Sequence, residues 1–262
     1  LAEDALSPAQ SEAVDQRTTE TAECAEIVAP LLAPGGVAVS CQNGVGTWEV
    51  LAQRLGWERV AGSVVSTGVQ MPAPGELEVT VQGFPWRIGL PREHAGPAAE
   101  GLEALARAAA ASPVPFGWSP NIEAAAWRKL VYNNALNALA TLRGGSYDLL
   151  WGDREVAAMQ DRLIDELWAV GLAHGVQFEP STLDAMKAWF WPLFERTRFH
   201  EPSMLVHLRR GRRTEIDALN GAISRLGRRH GVPTPQNDAL CKAIHALERA
   251  TLPPPQGPSP DA

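Results

Sequence analysis

The chain has 262 residues, of which 45% are hydrophobic and 20% charged, a composition typical of a globular protein with one large or two modest domains. The formal net charge of −7 argues against a nucleic-acid-binding protein, which usually carries a basic face. No apolar run reaches the ~18 residues that a membrane helix needs, so no membrane association is predicted. The three cysteines, Cys24, Cys41 and Cys241, fit neither a zinc pattern nor a disulfide framework, which favours a reducing cytoplasm.

The first 115 residues alternate helical and β-rich segments, which predicts a partial Rossmann-like α/β domain. Residues 1–19 are polar and patternless and are expected to be irregular. Helices are predicted at Thr21–Leu32, Thr47–Leu55 and Gly101–Ala111, and strands at Val37–Ser40, Ala61–Val69, Leu77–Gln82 and Trp86–Leu90. The last three strands are separated by segments rich in Pro and Gly, so they are expected to join as a meander.

The loop Cys41–Gly46 follows the first predicted strand and precedes a helix. In α/β sheets, ligands bind at the carboxyl ends of strands, and Gly44 and Gly46 would let the backbone approach a cofactor closely. An Asn-Gly pair is also a common turn, and on its own Asn43-Gly44 favours that simpler interpretation.

The composition changes near residues 114–118, where the domain boundary is predicted. Ser119-Pro120 is typical of a helix start, because Ser caps the first turn and Pro suits its first position. Helices are predicted at about 120–142, 153–174, 180–196, 203–230 and 235–250. Residues 116–250 are therefore expected to form an all-helical domain, followed by a Pro-rich tail at residues 251–262.

The segment Trp127–Asn137 contains no Gly or Pro and is predicted to lie in mid-helix. Lys129, Asn133 and Asn137 are four residues apart, so they form a polar stripe along one side of that helix. Apolar residues flank the stripe. If the stripe faces the interior, its hydrogen-bonding capacity must be filled, and a small polar ligand could fill it. Periodicity alone favours the alternative of an exposed lysine with two solvated asparagines.

Several motifs together resemble the ketopantoate reductase (2-dehydropantoate 2-reductase) family over about Glu20–Leu247. They are the stripe, the loop Gln42–Gly46, Ser203-Met204, the run Gly211–Gly221 and the run Gly231–Asn237. The resemblance implies an NADP-binding Rossmann domain followed by an all-helical domain, with the active site in the cleft between them. It also implies NADPH-dependent reduction of a 2-oxo acid, ketopantoate, to pantoate in pantothenate and coenzyme A biosynthesis.

The resemblance assigns catalysis to two residues. Lys129 matches the general acid, which would protonate the ketone oxygen and stabilise the developing alkoxide as hydride reaches C2. Glu215 matches an acidic residue near both the nicotinamide ribose and that lysine. The alternative is that Glu215 lies on a helix surface and pairs with Arg212.

The resemblance also assigns binding residues. Asn133, Asn137 and Ser203 match residues that bind substrate. Asn43 matches a loop residue that touches both cofactor and substrate, and Met71 matches a backbone contact to the cofactor.

The sequence departs from the family pattern at its amino end. The Gly-x-Gly-x-x-Gly turn that cradles a dinucleotide pyrophosphate is absent, since no Gly precedes Gly35. About two βαβ units, on the order of 60 to 80 residues, are expected to be missing. The chain is therefore interpreted as a fragment, a mis-started gene model or a chain whose first segment is scrambled.

Smaller departures leave the substrate open. His200 and His207 stand where the family typically has Asn and Asp, and Gly145-Ser146-Tyr147 replaces a loop in which some members place a substrate Asn. His207 could bind a substrate carboxylate or lie at the surface. A metal site at the two histidines is disfavoured, since no third ligand accompanies them. Two alternatives therefore stand beside ketopantoate reduction: reduction of another 2-oxo acid, and a non-catalytic helical module. The oligomeric state is open, and a homodimer is compatible with the sequence.

Overall fold

The computed structural model describes residues 16–70, 73–76, 78–82, 86–91, 97–109 and 116–252, and the chain divides into two compact units. The first unit contains the described residues up to Val65 together with those of Trp86–Ile122. The second contains the described residues of Ser66–Pro85 and those from Glu123 onward. The functional domain limits at residue 115 stay a prediction.

The first unit begins with a β-α-β arrangement. Its elements are α1 (Gln16–Val28), β1 (Ala38–Ser40), α2 (Thr47–Leu55) and β2 (Val60–Val64). Strands β1 and β2 are parallel neighbours, so α2 serves as the crossover between them, as in Rossmann-like folds. Helix α1 starts at Gln16, earlier than the sequence pattern predicted, and Ala25 from α1 packs with Leu51 and Leu55 from α2.

The remaining strands extend a mixed sheet and form a separate hairpin. They are β3 (Thr67–Gln70), β4 (Glu78–Gln82), β5 (Trp86–Gly89) and β6 (Phe116–Trp118), with helix α3 (Pro97–Ala109) between the last two. The sheet order is β1-β2-β5-β6, with β5 antiparallel to β2 and parallel to β6. Strands β3 and β4 pair only with each other.

Two predictions about these strands were wrong. The predicted strand Ala61–Val69 is two strands, because the chain leaves the β2 pairing at Val65-Ser66 and enters the hairpin. The predicted three-strand meander does not form, since β5 returns to pair with β2 through Gly62 and Gly89. Alternation within each segment could not reveal which strands would be neighbours.

The second unit is helical apart from the β3–β4 hairpin, which confirms the predicted order of α/β part and all-helical part. Its helices are α4 (Ile122–Arg143), α5 (Arg154–His174), α6 (Leu183–Thr197), α7 (Ser203–Arg209), α8 (Asn220–His230) and α9 (Pro235–Thr251). A 3₁₀ turn, Tyr147–Leu150, lies between α4 and α5. Within the described part of the chain, no helix is long and apolar enough to span a membrane.

The predicted helix at 203–230 was wrong, because the chain breaks between α7 and α8. Gly211 adopts φ +69°, a left-handed conformation that ends α7. The following turn is held by the backbone N–H of Thr214, which donates to Glu248 Oε1 at 2.6 Å. The apolar spacing continues through this turn, so periodicity alone gave no sign of the break.

Aromatic packing fixes the position of α4. Trp127, 2% exposed, meets Phe178 edge-on with ring centroids 6.0 Å apart, and Phe178 stacks on Trp168 at 4.2 Å. Gly171 on α5 allows this approach, since a Cβ there would lie 2.4 Å from Phe178 Cζ. The helix that carries the polar stripe is therefore anchored at its amino-terminal half by large buried side chains.

Gly171→Ala should destabilise the protein by about 1–3 kcal/mol, because the added methyl overpacks this aromatic contact. Gly101→Ala on α3 is the matched control, since nothing lies within 4 Å of a Cβ there. Because Ala has a higher helix propensity than Gly, Gly101→Ala should raise the free energy of unfolding by up to ~1 kcal/mol. Urea denaturation measures both changes, and an equal shift in the two variants would contradict the packing argument.

Candidate active site

The polar stripe on α4 lies in the interior. Asn133 is 9% exposed and Asn137 is 3% exposed, whereas Lys129 is half-buried. The flanking side chains of Leu130, Val131 and Leu136 are almost fully buried too. The solvated stripe that periodicity favoured is therefore wrong, because α4 is covered on its apolar sides and on the side of the two amides as well.

The two stripe amides have unfilled hydrogen-bonding capacity. Asn137 Oδ1 accepts a hydrogen bond from the Tyr147 hydroxyl at 2.6 Å. Among the described residues, neither the Asn137 amide nitrogen nor the Asn133 carboxamide has a hydrogen-bond partner. Mostly buried polar groups without a protein partner are typical of a site that binds a polar ligand.

Ser203 and Glu215 form a second part of the site. Ser203 is the first residue of α7, and its Oγ donates to Glu215 Oε2 at 2.9 Å. Glu215 is 4% exposed and lies in the turn after Gly211, so the alternative of a helix-surface Glu paired with Arg212 is wrong. The predicted closeness of Glu215 to Lys129 stays a prediction.

Tyr147 connects these two parts. Burial raises the pKa of Tyr147 well above its ordinary value, and the charges of Tyr132 and Glu215 raise it further. The Glu215 carboxylate therefore acts electrostatically on the phenol whose hydroxyl donates to Asn137. Tyr147 is thus linked to Asn137 by a hydrogen bond and to Glu215 by an electrostatic interaction.

The histidines near this cluster differ in their surroundings. The His200 ring lies edge-on to Tyr147, with centroids 5.6 Å apart. Burial lowers the pKa of His200, against the opposing effect of Glu201. His207 is half-buried on α7. Among the described residues, no group of three or more His, Cys, Asp or Glu side chains could hold a metal ion.

Asn43 and Met71 belong to other parts of the chain. Asn43 is half-buried in the loop between β1 and α2, in the first unit. Gly44 and Gly46 in this loop have φ of 88° and 97°, and a Cβ at Gly46 would meet nothing within 4 Å. Open backbone at the carboxyl end of a strand and the start of a helix fits part of a dinucleotide. Met71 lies outside the described residues.

Sequence reasoning missed two side chains in the second unit. Thr141 continues the four-residue spacing of the stripe, is 2% exposed, and its hydroxyl has no partner within the described part of the chain. Extending the stripe by one further step could have found it. Tyr147 follows Asn137 by ten residues across a helix end, and no spacing rule predicts that contact.

A separate buried network occupies a different side of α4. Asn134 and Asn220 both donate to Asn237 Oδ1, at 2.6 and 3.1 Å. Asn237 Nδ2 in turn donates to Glu166 Oε2 at 2.7 Å. Each of these amide nitrogens bonds to a protein group, so the network joins α4, α5, α8 and α9. Asn134 Oδ1 and Asn220 Oδ1 have no hydrogen-bond partner among the described residues.

Comparisons with known proteins agree with this architecture. The family model "Ketopantoate reductase PanE/ApbA" matches residues 16–89, and "Ketopantoate reductase PanE/ApbA C terminal" matches residues 121–248. The 2-dehydropantoate 2-reductase of Aquifex aeolicus is 30% identical over 240 residues, which cover 91% of this chain and 76% of that protein.

Solved structures give the same picture. A PanE/ApbA family ketopantoate reductase from Ralstonia eutropha JMP134 has a TM-score of 0.76 and 30% identity, over 89% of this chain and 74% of that one. D-Mandelate dehydrogenase with NADH and anilino(oxo)acetate has a TM-score of 0.74 over the same shares, and its 22% identity shows a common fold.

The fold and the matches define an oxidoreductase with a Rossmann-like part and a helical part. Within that class, the chain belongs to the ketopantoate reductase family. The expectation drawn from its motifs is thereby confirmed.

Asn237→Ala should lower the free energy of unfolding by about 3 kcal/mol, because Asn134, Asn220 and Glu166 would lose a buried partner. Gln236→Ala is the matched control, since Gln236 reaches Glu166 only through its backbone N–H, which the substitution keeps. Thermal and urea unfolding measure both. If Asn237→Ala lowers the free energy of unfolding only as little as Gln236→Ala does, a central role for the network is contradicted.

Proposed function

We propose that this protein reduces 2-dehydropantoate to pantoate with NADPH, as a step of pantothenate and coenzyme A biosynthesis. The observation that carries the proposal is the buried stripe of α4, four and eight residues beyond Lys129. Among the described residues, the Asn133 carboxamide and the amide nitrogen of Asn137 have no hydrogen-bond partner. Membership of the ketopantoate reductase family supports the same substrate class.

Lys129 is the proposed general acid. When bound, the reduced nicotinamide supplies a hydride to C2 of the 2-oxo acid, which converts the carbonyl carbon into a secondary alkoxide centre. The Lys129 ammonium donates its proton to the former carbonyl oxygen, so the product is a 2-hydroxy acid and the lysine is left neutral. Before transfer, its positive charge stabilises the negative charge that develops on that oxygen.

Glu215 has two proposed tasks. Its carboxylate holds the Ser203 hydroxyl at 2.9 Å, which fixes the orientation of a side chain that would contact substrate. A buried negative charge beside the stripe also favours the charged form of a nearby lysine, which a general acid must have before the reaction.

Asn133, Asn137 and Ser203 are the proposed substrate-binding residues. Two carboxamides one helical turn apart can donate hydrogen bonds to neighbouring oxygens of a small acid. Because both amides are mostly buried, the substrate would be bound with much of its hydration removed, which strengthens these hydrogen bonds.

The proposed cofactor contacts rest on the family resemblance together with local backbone geometry. Asn43 would contact the nicotinamide part and the substrate, Glu215 the ribose, and Met71 the cofactor through its backbone. Gly44 and Gly46 beside Asn43 adopt positive φ, which keeps side chains away from this loop. We assign NADPH rather than NADH on the family resemblance.

Reduction of a different 2-oxo acid is the second candidate. The observation that favours it is the aromatic side chain of Tyr147 beside the stripe, with His200 packed on it. These bulky groups would shape the pocket around the substituent at C3. A homodimer in a reducing cytoplasm completes the proposal, and the three free cysteines are compatible with such a compartment.

Lys129→Ala should lower kcat by about 100-fold or more, the usual contribution of a general acid. Lys242→Ala is the control, because Lys242 is an exposed lysine on α9. Steady-state assays with 2-dehydropantoate and a panel of other 2-oxo acids measure kcat and KM. An unchanged kcat in Lys129→Ala would exclude the proposed role, and a poor kcat/KM for 2-dehydropantoate alone would favour the second candidate.

Isothermal titration calorimetry with NADPH separates an enzyme from a non-catalytic helical module. The 262-residue chain should bind NADPH with a measurable heat if residues of the described loop and turn contribute to the site. NADH under the same conditions should bind more weakly. Absence of NADPH binding would contradict the reductase proposal and favour the non-catalytic module.

A further inference from the structure

Tyr147 is held in place by three contacts. Its backbone N–H donates to the carbonyl oxygen of His200 at 3.1 Å, and its ring lies edge-on to His200 at 5.6 Å. On another side, its ring meets Tyr132 edge-on, with centroids 5.8 Å apart. The side chain is 2% exposed, so the position of its hydroxyl is set by packing rather than by solvent.

The hydroxyl makes one contact that matters for the stripe: it donates to Asn137 Oδ1 at 2.6 Å. A carboxamide has an acceptor end and a donor end, and a protonated phenol that donates can satisfy only the acceptor end. Burial raises the pKa of Tyr147 well above its ordinary value, which favours the protonated, donating form of the hydroxyl. The amide nitrogen of Asn137 is therefore the end left for another molecule.

We propose that Tyr147 is a positioning residue that fixes the Asn137 carboxamide with its N–H groups turned towards the substrate. This inference rests on the proposed function and adds a rule of recognition to it. The stripe selects an oxygen acceptor at this point, a carboxylate or hydroxyl oxygen of the 2-oxo acid, and disfavours a ligand that presents a donor.

Geometry distinguishes this role from a general structural one. Tyr132 is a second, half-buried phenol in the same aromatic cluster, and its hydroxyl lies 2.5 Å from Thr197 Oγ1. It packs on Tyr147 and Phe190. Loss of the Tyr132 hydroxyl therefore perturbs the same cluster without removing the bond to Asn137, which makes Tyr132→Phe a matched control.

Tyr147→Phe removes the hydroxyl and keeps the ring, so the amide of Asn137 becomes free to turn. KM for the 2-oxo acid should rise about 3- to 10-fold, the usual weight of one hydrogen bond, while kcat stays within about twofold. Tyr132→Phe should leave KM unchanged. Tyr147→Phe added to Asn137→Ala should raise KM no further, since the group that Tyr147 orients is already gone.

Each outcome decides the inference. An unchanged KM in Tyr147→Phe, an equal rise in Tyr132→Phe, or an additive double variant would overturn the positioning role while leaving the reductase intact. A wild-type protein that reduces no 2-oxo acid would overturn the proposed function and this inference with it.

If Tyr147→Phe fails to fold, the wild-type protein still provides a test. The side-chain amide protons of its Asn137 must exchange slowly, and their resonances must shift when pantoate binds. Unshifted resonances would refute the inference.

Discussion

The site depends on one physical constraint, the burial of carboxamides on helix α4. Leaving a polar group unpaired in the interior costs free energy, so each buried amide on α4 must have a partner or await one. Asn137 Oδ1 accepts a hydrogen bond from the Tyr147 hydroxyl, and the Asn137 amide nitrogen remains available to a ligand. Ser203 and Glu215 satisfy each other nearby, in a turn that exists because the chain breaks at Gly211. Helix α4, the start of α7 and the turn after Gly211 thus each contribute polar side chains to the candidate site.

Consecutive residues of α4 contribute to two different kinds of polar structure. Asn133 and Asn134 are separated by about 100° around the helix axis, so they face different neighbours. The amide of Asn134 donates to Asn237, which donates in turn to Glu166, and the free energy of these bonds goes into holding the helices together. The amide of Asn133 has no partner in the described part of the chain. Stability and ligand binding are therefore separated by one step along the helix, which allows each to be tested with little effect on the other.

The sequence predicted what depends on local pattern and on motif. The helix expected at 235–250 is Pro235–Thr251, because a capping Pro and apolar spacing define it, and the stripe was found from four-residue spacing. The burial of that stripe could not be predicted, since a period of four is equally compatible with a solvated face. The helix break at Gly211 was missed because apolar residues continue on both sides of it. The contact of Tyr147 with Asn137 depends on how a helix end folds back, which no local pattern encodes.

The most direct measurement of the central claim is the side-chain amide spectrum of the ¹⁵N-labelled protein, recorded with NADP before and after addition of pantoate. The account predicts that the amide resonances of Asn133 and Asn137 shift, since pantoate oxygens would accept from them. The amide of Asn134 should stay unchanged, because its nitrogen is bonded to Asn237. Binding of pantoate that leaves both stripe amides unshifted, or that moves Asn134 instead, would contradict the account.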